Sequence, residues 1–194
     1  MSEDINNSRV PESKMRSFWE MVRFALVALL IVIPIRTYVA QPFIVSGSSM
    51  VPTFHDSEYL VVDELSYRFE EPKRNDVIIF RYPKDTTKFF IKRIIGLPNE
   101  TLIINGSRVT IKNMANPDGF VLDEPYVKNQ SSNNLTVTLG PDEYFVMGDN
   151  RIASSDSRIW GTLPRNLIIG RAFLRLLPLS EIAVLPGEYK FNRL

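Results

Sequence analysis

Ser46-Gly47-Ser48-Ser49-Met50-Val51-Pro52-Thr53 is the stretch on which the reading of this 194-residue chain turns. The run Phe43-Ile44-Val45 enters it as a strand, Gly47 permits a tight turn, and Pro52 stiffens the exit. A strand that ends in such a turn presents Ser49 where a nucleophile would stand. Gly-Ser-Ser turns are common and most are only turns, so the reading depends on whether the rest of the chain supplies a base.

Composition narrows the choice of base. There is no cysteine, which excludes a disulfide framework, thiolate metal sites and cysteine catalysis. The single histidine, His55, argues against a His-rich metal site, and no metal or cofactor is expected. A Ser-His-Asp triad would have to use His55, which lies in a polar turn six residues past Ser49 and reads as an exposed loop histidine. The net charge of +1 gives no electrostatic footprint for nucleic acid.

Upstream of the turn the chain changes character twice. Residues 1–15 are polar and read as a disordered cytoplasmic tail. Residues 16–41 read as a transmembrane anchor: Phe24 to Ile33 is apolar on every helical face, and Met21-Val22 and Tyr38-Val39-Ala40 extend it to about 20 residues, the length a bilayer needs. A buried core helix and a cleavable signal peptide are the competing readings; Tyr38 is too bulky for the small-residue site that cleavage before Gln41 would need. Lys14, Arg16 and Arg23 precede the apolar run and only Arg36 closely follows it, which places the N-terminus in the cytoplasm and residues 42–194 outside a single-pass cell membrane.

Downstream the chain is mainly β. Candidate strands are Tyr59–Val62, Val77–Phe80, Phe89–Ile95, Leu135–Leu139, Tyr144–Met147 and a long last one from Leu167 to Leu177. Thr101–Ile104 and Ser107–Ile111 read as a hairpin turning on Asn105-Gly106. Residues 112–134, rich in Asn, Ser, Pro and Asp, read as a small insertion.

Lys92 is the residue to set beside Ser49. In a strand Phe90, Lys92 and Ile94 share a face, and if that face is buried an ammonium sits among apolar side chains. A free lysine, with a pKa near 10.4, cannot take a serine proton at neutral pH. Desolvation that brings it to about 7–8 makes it a usable base. The competing reading is a solvated edge-strand cation. A third stretch, Gly148 to Gly161, is dense in small and charged residues. Asp149, Arg151, Asp156 and Arg158 suit two ion pairs that brace a loop, and Ser154 or Ser155 suits a hydrogen bond to an amine.

Taken together these stretches resemble the bacterial type I signal peptidases, membrane-bound Ser-Lys proteases. Ser49-Met50-Val51-Pro52-Thr53 is similar to that family's nucleophile motif. Arg74-Asn75-Asp76-Val77-Ile78-Ile79-Phe80 is similar to its Arg-Gly-Asp strand, with Asn75 in the glycine position. Ile91 to Pro98 resembles its lysine motif, and Tyr144 to Arg151 with Asp156-Ser157-Arg158 and Trp160-Gly161 resembles its last one. The resemblance implies a catalytic core of coiled antiparallel sheets behind one N-terminal transmembrane helix. It implies that Ser49 is the nucleophile and Lys92 the base. Ser154 would hydrogen-bond the lysine, and Asp149, Arg151, Asp156 and Arg158 would support the site. Phe43, Val45 and Ile91 would line pockets for small side chains. The implied partners are the signal peptides of exported preproteins and a phospholipid membrane, with the enzyme a monomer. The chain departs from the pattern at Gly47, where some members carry a second oxyanion-hole hydroxyl, and at Ile152-Ala153, where Asp-Asn is usual. Other readings are a catalytically inactive membrane-anchored β-domain used for binding, and an organellar processing peptidase. A self-cleaving repressor is disfavoured, because an apolar segment stands where its DNA-binding helices would be.

Overall fold

The structure is a computed structural model that describes residues 14–34 and 40–189. Helix α1 spans Lys14–Pro34. The strands, in chain order, are β1 (Ala40–Ile44), β2 (Tyr59–Asp63), β3 (Val77–Tyr82), β4 (Asp85–Gly96), β5 (Thr101–Gly106), β6 (Arg108–Asn113), β7 (Asn116–Val121), β8 (Asn133–Thr138), β9 (Glu143–Met147), β10 (Leu163–Pro164), β11 (Ile168–Leu177) and β12 (Ala183–Val184). A short helix, α2, covers Ser157–Trp160 between β9 and β10.

Every strand pairing is antiparallel. One sheet runs β1-β2-β11-β3-β4-β9-β10, with β12 added against β11, and a smaller one runs β7-β6-β5-β8. The mainly β expectation is met, and the polar segment after residue 111 contributes β7, a strand its Asn- and Asp-rich composition concealed.

The strands divide three apolar cores. Alternate residues of β3 serve two of them: Ile78 and Phe80 pack with Ile94, Val146 and Trp160, while Val77 and Ile79 pack with Val45, Met50, Phe54 and Leu60. Burial on both faces is why Val77-Ile78-Ile79-Phe80 reads as an unbroken apolar run. β9 works the same way, sending Tyr144 and Val146 to the first core and Phe145 and Met147 to a third with Leu102, Ile104, Val109 and Ile111. Each fully buried side chain of this kind contributes roughly 1.5–3 kcal/mol.

The β5–β6 turn differs by one residue from the sequence expectation. Asn105 pairs with Arg108, so the turn is Gly106-Ser107, and Gly106 takes the positive φ of 61°. This register sets Ile104 against Val109 and Leu102 against Ile111, all four buried. A turn at Asn105-Gly106 would instead face Ile104 with Ser107 and forfeit one apolar pair.

Asn75 occupies a left-handed conformation, φ 74°, just before β3. Its N–H donates to Ile94 O at 2.9 Å, which stitches this turn to β4. Asparagine tolerates such a φ better than other residues with a Cβ, which explains how it stands in a glycine position. Asn75→Ala is expected to lower stability by about 1–2 kcal/mol, whereas Asn75→Gly stays within about 1 kcal/mol of the parent in urea titrations.

The expected span over 16–41 is met only in part. α1 is helical, and Phe24, Leu26, Val27, Leu29, Leu30 and Val32 are exposed on it. Among the described residues, however, no helix is long and apolar enough to cross a membrane. Lys14, Arg16, Glu20 and Arg23 occupy its first half. The tail expected over 1–15 lies mostly, and residues 35–39 of the expected span lie wholly, outside the described residues. The last two residues of that span, Ala40 and Gln41, belong to β1 and pair with Asp63 and Val62, so the expected anchor ends too late.

Candidate functional site

The Ser46–Ser49 turn is clamped at both ends. Val45 N–H donates to Glu58 O at 2.9 Å, and the left-handed Gly47, φ 88°, donates its N–H to Asp56 Oδ1 at 2.7 Å. Past the turn Met50 and Phe54 are buried in the core beside β1 and β2. From the opposite side Asn150 holds the turn backbone: its N–H donates to Ser49 O at 3.0 Å and its Nδ2 to Ser48 O at 3.1 Å. Ser49 is thereby a half-buried hydroxyl on a fixed backbone.

Lys92 reaches it from β4. Its Nζ donates to Ser49 Oγ at 2.7 Å and to Ile91 O at 2.8 Å. From Lys92 to Gly96 β4 is buried on both faces, so Arg93 and Ile95 are as enclosed as Ile94, and Lys92 is only 4% exposed. Its Nζ stands 5.3 Å from the Phe90 ring centroid. Burial drives its pKa down to about 8, against the opposing pull of Asp156 and Asp149. A serine oxygen within hydrogen-bond distance of an amine that loses its proton this readily is an arrangement able to generate an alkoxide-like nucleophile without histidine. His55 is exposed and does not line the groove described below.

The charged segment after β9 braces the dyad from behind. Of the two ion pairs expected among Asp149, Arg151, Asp156 and Arg158, one forms within the set, between Asp156 and Arg158, with Arg158 Nε on Oδ1 at 2.8 Å and Nη2 on Oδ2 at 2.7 Å. Asp156 also caps α2 and accepts the Gly148 N–H at 3.1 Å. The expectation of a second pair within the set is corrected, because the other two residues find partners outside it. Asp149 does not pair with Arg151 but with Arg93, Nε to Oδ1 at 2.8 Å and Nη2 to Oδ2 at 2.6 Å, and Arg151 pairs with Glu124 at 2.5 Å. The reason is the sheet. Arg93 faces Met147 across the β4–β9 ladder and points away from Lys92, so its guanidinium meets the first acidic residue beyond β9.

Gly148 lets this segment lie close. A Cβ there would come within 2.3 Å of Ser154 Oγ and 2.4 Å of Ser49 O. Ser154 is buried, and its Oγ has no hydrogen-bond partner among the described residues, so the hydrogen bond to Lys92 expected of it is not made here: the amine is taken up by Ser49 Oγ and Ile91 O. Gly148→Ala is therefore expected to push the serine turn off Lys92 and to lower kcat at least about 100-fold, far more than it lowers melting temperature.

Beside the Ser49–Lys92 pair runs a groove of about 460 Å³, lined by Phe43 and Ile44 of the β1 edge, by Val45 just after it, by Phe89, Phe90 and Ile91 of β4, and by Ser155 together with Ser49 and Lys92. Its two strand walls keep unpaired edges. Among the described residues β1 pairs only with β2, and β4 joins β9 only from Arg93 onward. The structure thus brings Ser49, Lys92, Phe43, Val45 and Ile91 to one groove, while Asp149, Arg151, Asp156 and Arg158 lie outside its lining. Sequence reasoning missed Arg93, Glu124, Gly148 and Asn150 as supports. The strand alternation that selected Lys92 carried a signal for Arg93, since it set Arg93 on the opposite face.

Comparison with known proteins gives a consistent result. Residues 18–177 match the family described as signal peptidase, peptidase S26. The chain is 36% identical to a probable signal peptidase I-1 of Synechocystis sp., over 96% of this chain and 95% of that one. It is 36% identical to a signal peptidase I of Leptolyngbya laminosa, over 84% and 82%, and 32% identical to signal peptidase I T of Bacillus subtilis, over 91% and 94%. A solved signal peptidase I from Enterococcus faecalis V583 is 30% identical, covers 53% of this chain and 97% of its own, and superposes with a TM-score of 0.45.

Proposed function

The chain belongs to the signal peptidase family, peptidase S26, and from that premise we propose that it cleaves N-terminal signal peptides from exported precursor proteins with a Ser49–Lys92 dyad. The observation that carries the dyad is the 2.7 Å contact between a buried, easily deprotonated lysine and the serine hydroxyl.

In the proposed cycle neutral Lys92 accepts the Ser49 proton as Oγ attacks the scissile carbonyl. The ammonium then protonates the leaving amine, and water, deprotonated by the same lysine, releases the acyl-enzyme. Ser49 N–H faces the developing oxyanion. Gly47 brings no hydroxyl to that task, and Ser48 is exposed. Ser154, with its buried Oγ unpartnered, is the hydroxyl assigned to hold the Lys92 amine when Ser49 is acylated. Asp149, Arg151, Asp156 and Arg158 keep the loop that carries Ser154 in place.

Substrate lies extended between the open edges of β1 and β4, with main-chain hydrogen bonds supplying affinity. Phe43, Val45 and Ile91, which line the groove, are the residues assigned to select small side chains before the cut, as an A-x-A-like cleavage site requires. The enzyme acts as a monomer at the outer face of the cell membrane. α1 is its anchor, and the excess of Lys and Arg before the apolar run sets its N-terminus in the cytoplasm.

The test is cleavage of an Ala-x-Ala precursor peptide by the detergent-solubilised chain. Ser49→Ala is expected to lower kcat by on the order of 10⁴-fold or more with an unchanged circular dichroism spectrum. Full activity in that variant refutes the dyad. No cleavage by the folded parent leaves the inactive binding domain as the better reading.

A further inference from the structure

A second, polar pocket of about 320 Å³ opens on the other side of Phe89, which lines both it and the substrate groove. Three arginines from separate parts of the chain line it. Arg68 closes the short helical turn after β2, Arg81 stands on β3, and Arg165 opens the turn before β11. Glu64 is the acidic residue in its lining, against three arginines, one of which, Arg165, also meets Glu71 from outside the lining. The guanidinium groups are partly oriented. Arg81 sits 4.9 Å from the Phe89 ring centroid and donates to Thr86 O at 3.1 Å. Arg165 donates to Tyr67 O at 2.6 Å and pairs with the exposed Glu71 at 3.1 Å. Nothing in the dyad or the groove chemistry uses this cluster.

We propose that the Arg68–Arg81–Arg165 pocket binds the phosphodiester of a phospholipid headgroup. Planar, permanently charged arginine forks match phosphate oxygens better than point charges do. Two observations select a lipid over a free anion. Exposed apolar side chains accompany the cluster: Phe89 lines the pocket, Phe69 follows Arg68 in the chain and is 81% exposed, and Leu65, also exposed, follows the lining residue Glu64. Aromatic and cationic side chains side by side are the signature of a membrane interface. Gln41, another lining residue, follows the last residue of α1, Pro34, by seven positions, no more than about 25 Å of chain. This proposal rests on the reading of α1 as a membrane anchor. A headgroup held there would fix the substrate groove at the lipid surface through Phe89.

The experiment reads binding and not cleavage, so its failure is separate from failure of the protease assignment. The full chain in dodecyl maltoside is titrated with phosphatidylglycerol and bound lipid is counted by native mass spectrometry. One saturable lipid is expected, weakened at least tenfold in Arg68→Gln and again in Arg68→Gln/Arg81→Gln. Melting temperatures identify any variant that has unfolded, and Arg68→Lys, which keeps the charge but not the fork, should fall between parent and Arg68→Gln. Dioleoylglycerol, which lacks the phosphate, is expected not to compete. Equal binding by parent and variants, or equal binding of dioleoylglycerol, overturns the proposal. Inorganic phosphate that binds as tightly as the lipid makes this a free-anion site and also overturns it. An acidic peptide that displaces the lipid at lower concentration replaces it with a substrate-binding role.

Discussion

Lys92→Met is expected to lower kcat by on the order of 10⁴-fold while making the protein more stable at neutral pH. Both effects come from the same buried amine. On the proposed mechanism cleavage requires neutral Lys92, so kcat/KM of the parent should rise with pH along an acid limb whose midpoint lies near the pKa of about 8 and then level off. An unfolded lysine keeps its proton to much higher pH. Below pH 8 the folded and unfolded chains both carry the proton, and the folded one carries it in an apolar site, so the lysine destabilises the fold there. Between about pH 8 and 10.5 the unfolded chain binds more protons than the folded chain, so stability rises with pH through this window. A depression of this size corresponds to about 3 kcal/mol at 1.36 kcal/mol per unit.

Methionine removes the charge and fills most of the space, but it loses the donation to Ser49 Oγ and Ile91 O. A gain of about 1–3 kcal/mol at pH 7, shrinking towards zero above pH 10.5, is the expected balance. Urea titrations of parent and variant at several pH values measure it. A variant that is inactive but no more stable at pH 7 would show that Lys92 is not desolvated, and the low acid limb would then need another base.

The serine turn, the lysine strand and most of the large sheet could be read from the chain because each rests on local chemistry. Gly47 needs its positive φ, Val77 to Phe80 needs two apolar faces, and strand alternation alone puts Lys92 with Phe90 and Ile94. The parts that could not be read depend on partners far apart in sequence. Asp149 and Arg151 look like natural neighbours for a salt bridge, yet each is paired across the fold, with Arg93 and Glu124. The close approach of Gly148 to Ser49 O exists only once β9 lies beside β4. β7 escaped notice because Asn116-Pro117-Asp118-Gly119 has poor strand propensity, and only the ladder to β6 makes it a strand. The β5–β6 turn was misplaced because Asn-Gly is a strong local signal, and the apolar pairing outweighed it.

The Arg93–Asp149 pair is where the largest loss of stability is expected. Both side chains are fully buried and joined by two hydrogen bonds. Arg93 also donates to Asn75 O at 2.9 Å and Gly187 O at 2.6 Å, and lies 4.0 Å from the Tyr126 ring centroid. Asp149 accepts in addition from Thr53 Oγ1 at 2.5 Å, at the exit of the serine turn. One ion pair therefore ties β4, the turn before β3, the C-terminal segment at Gly187 and the nucleophile turn together. Asp149→Asn or Arg93→Met leaves its partner charged, buried and uncompensated, and each should cost about 3–5 kcal/mol. The double variant Arg93→Met/Asp149→Leu removes both charges, so it should lose markedly less than the sum of the two single changes, and a double-mutant cycle in urea measures that coupling. Activity offers an independent check. Asp149 holds the Lys92 pKa up against burial, so Asp149→Asn, assayed at a temperature where it stays folded, should move the acid limb of kcat/KM to lower pH. An additive cycle, or an acid limb that does not move, would mean that the pair braces the site by shape alone and that its charge does not reach the dyad.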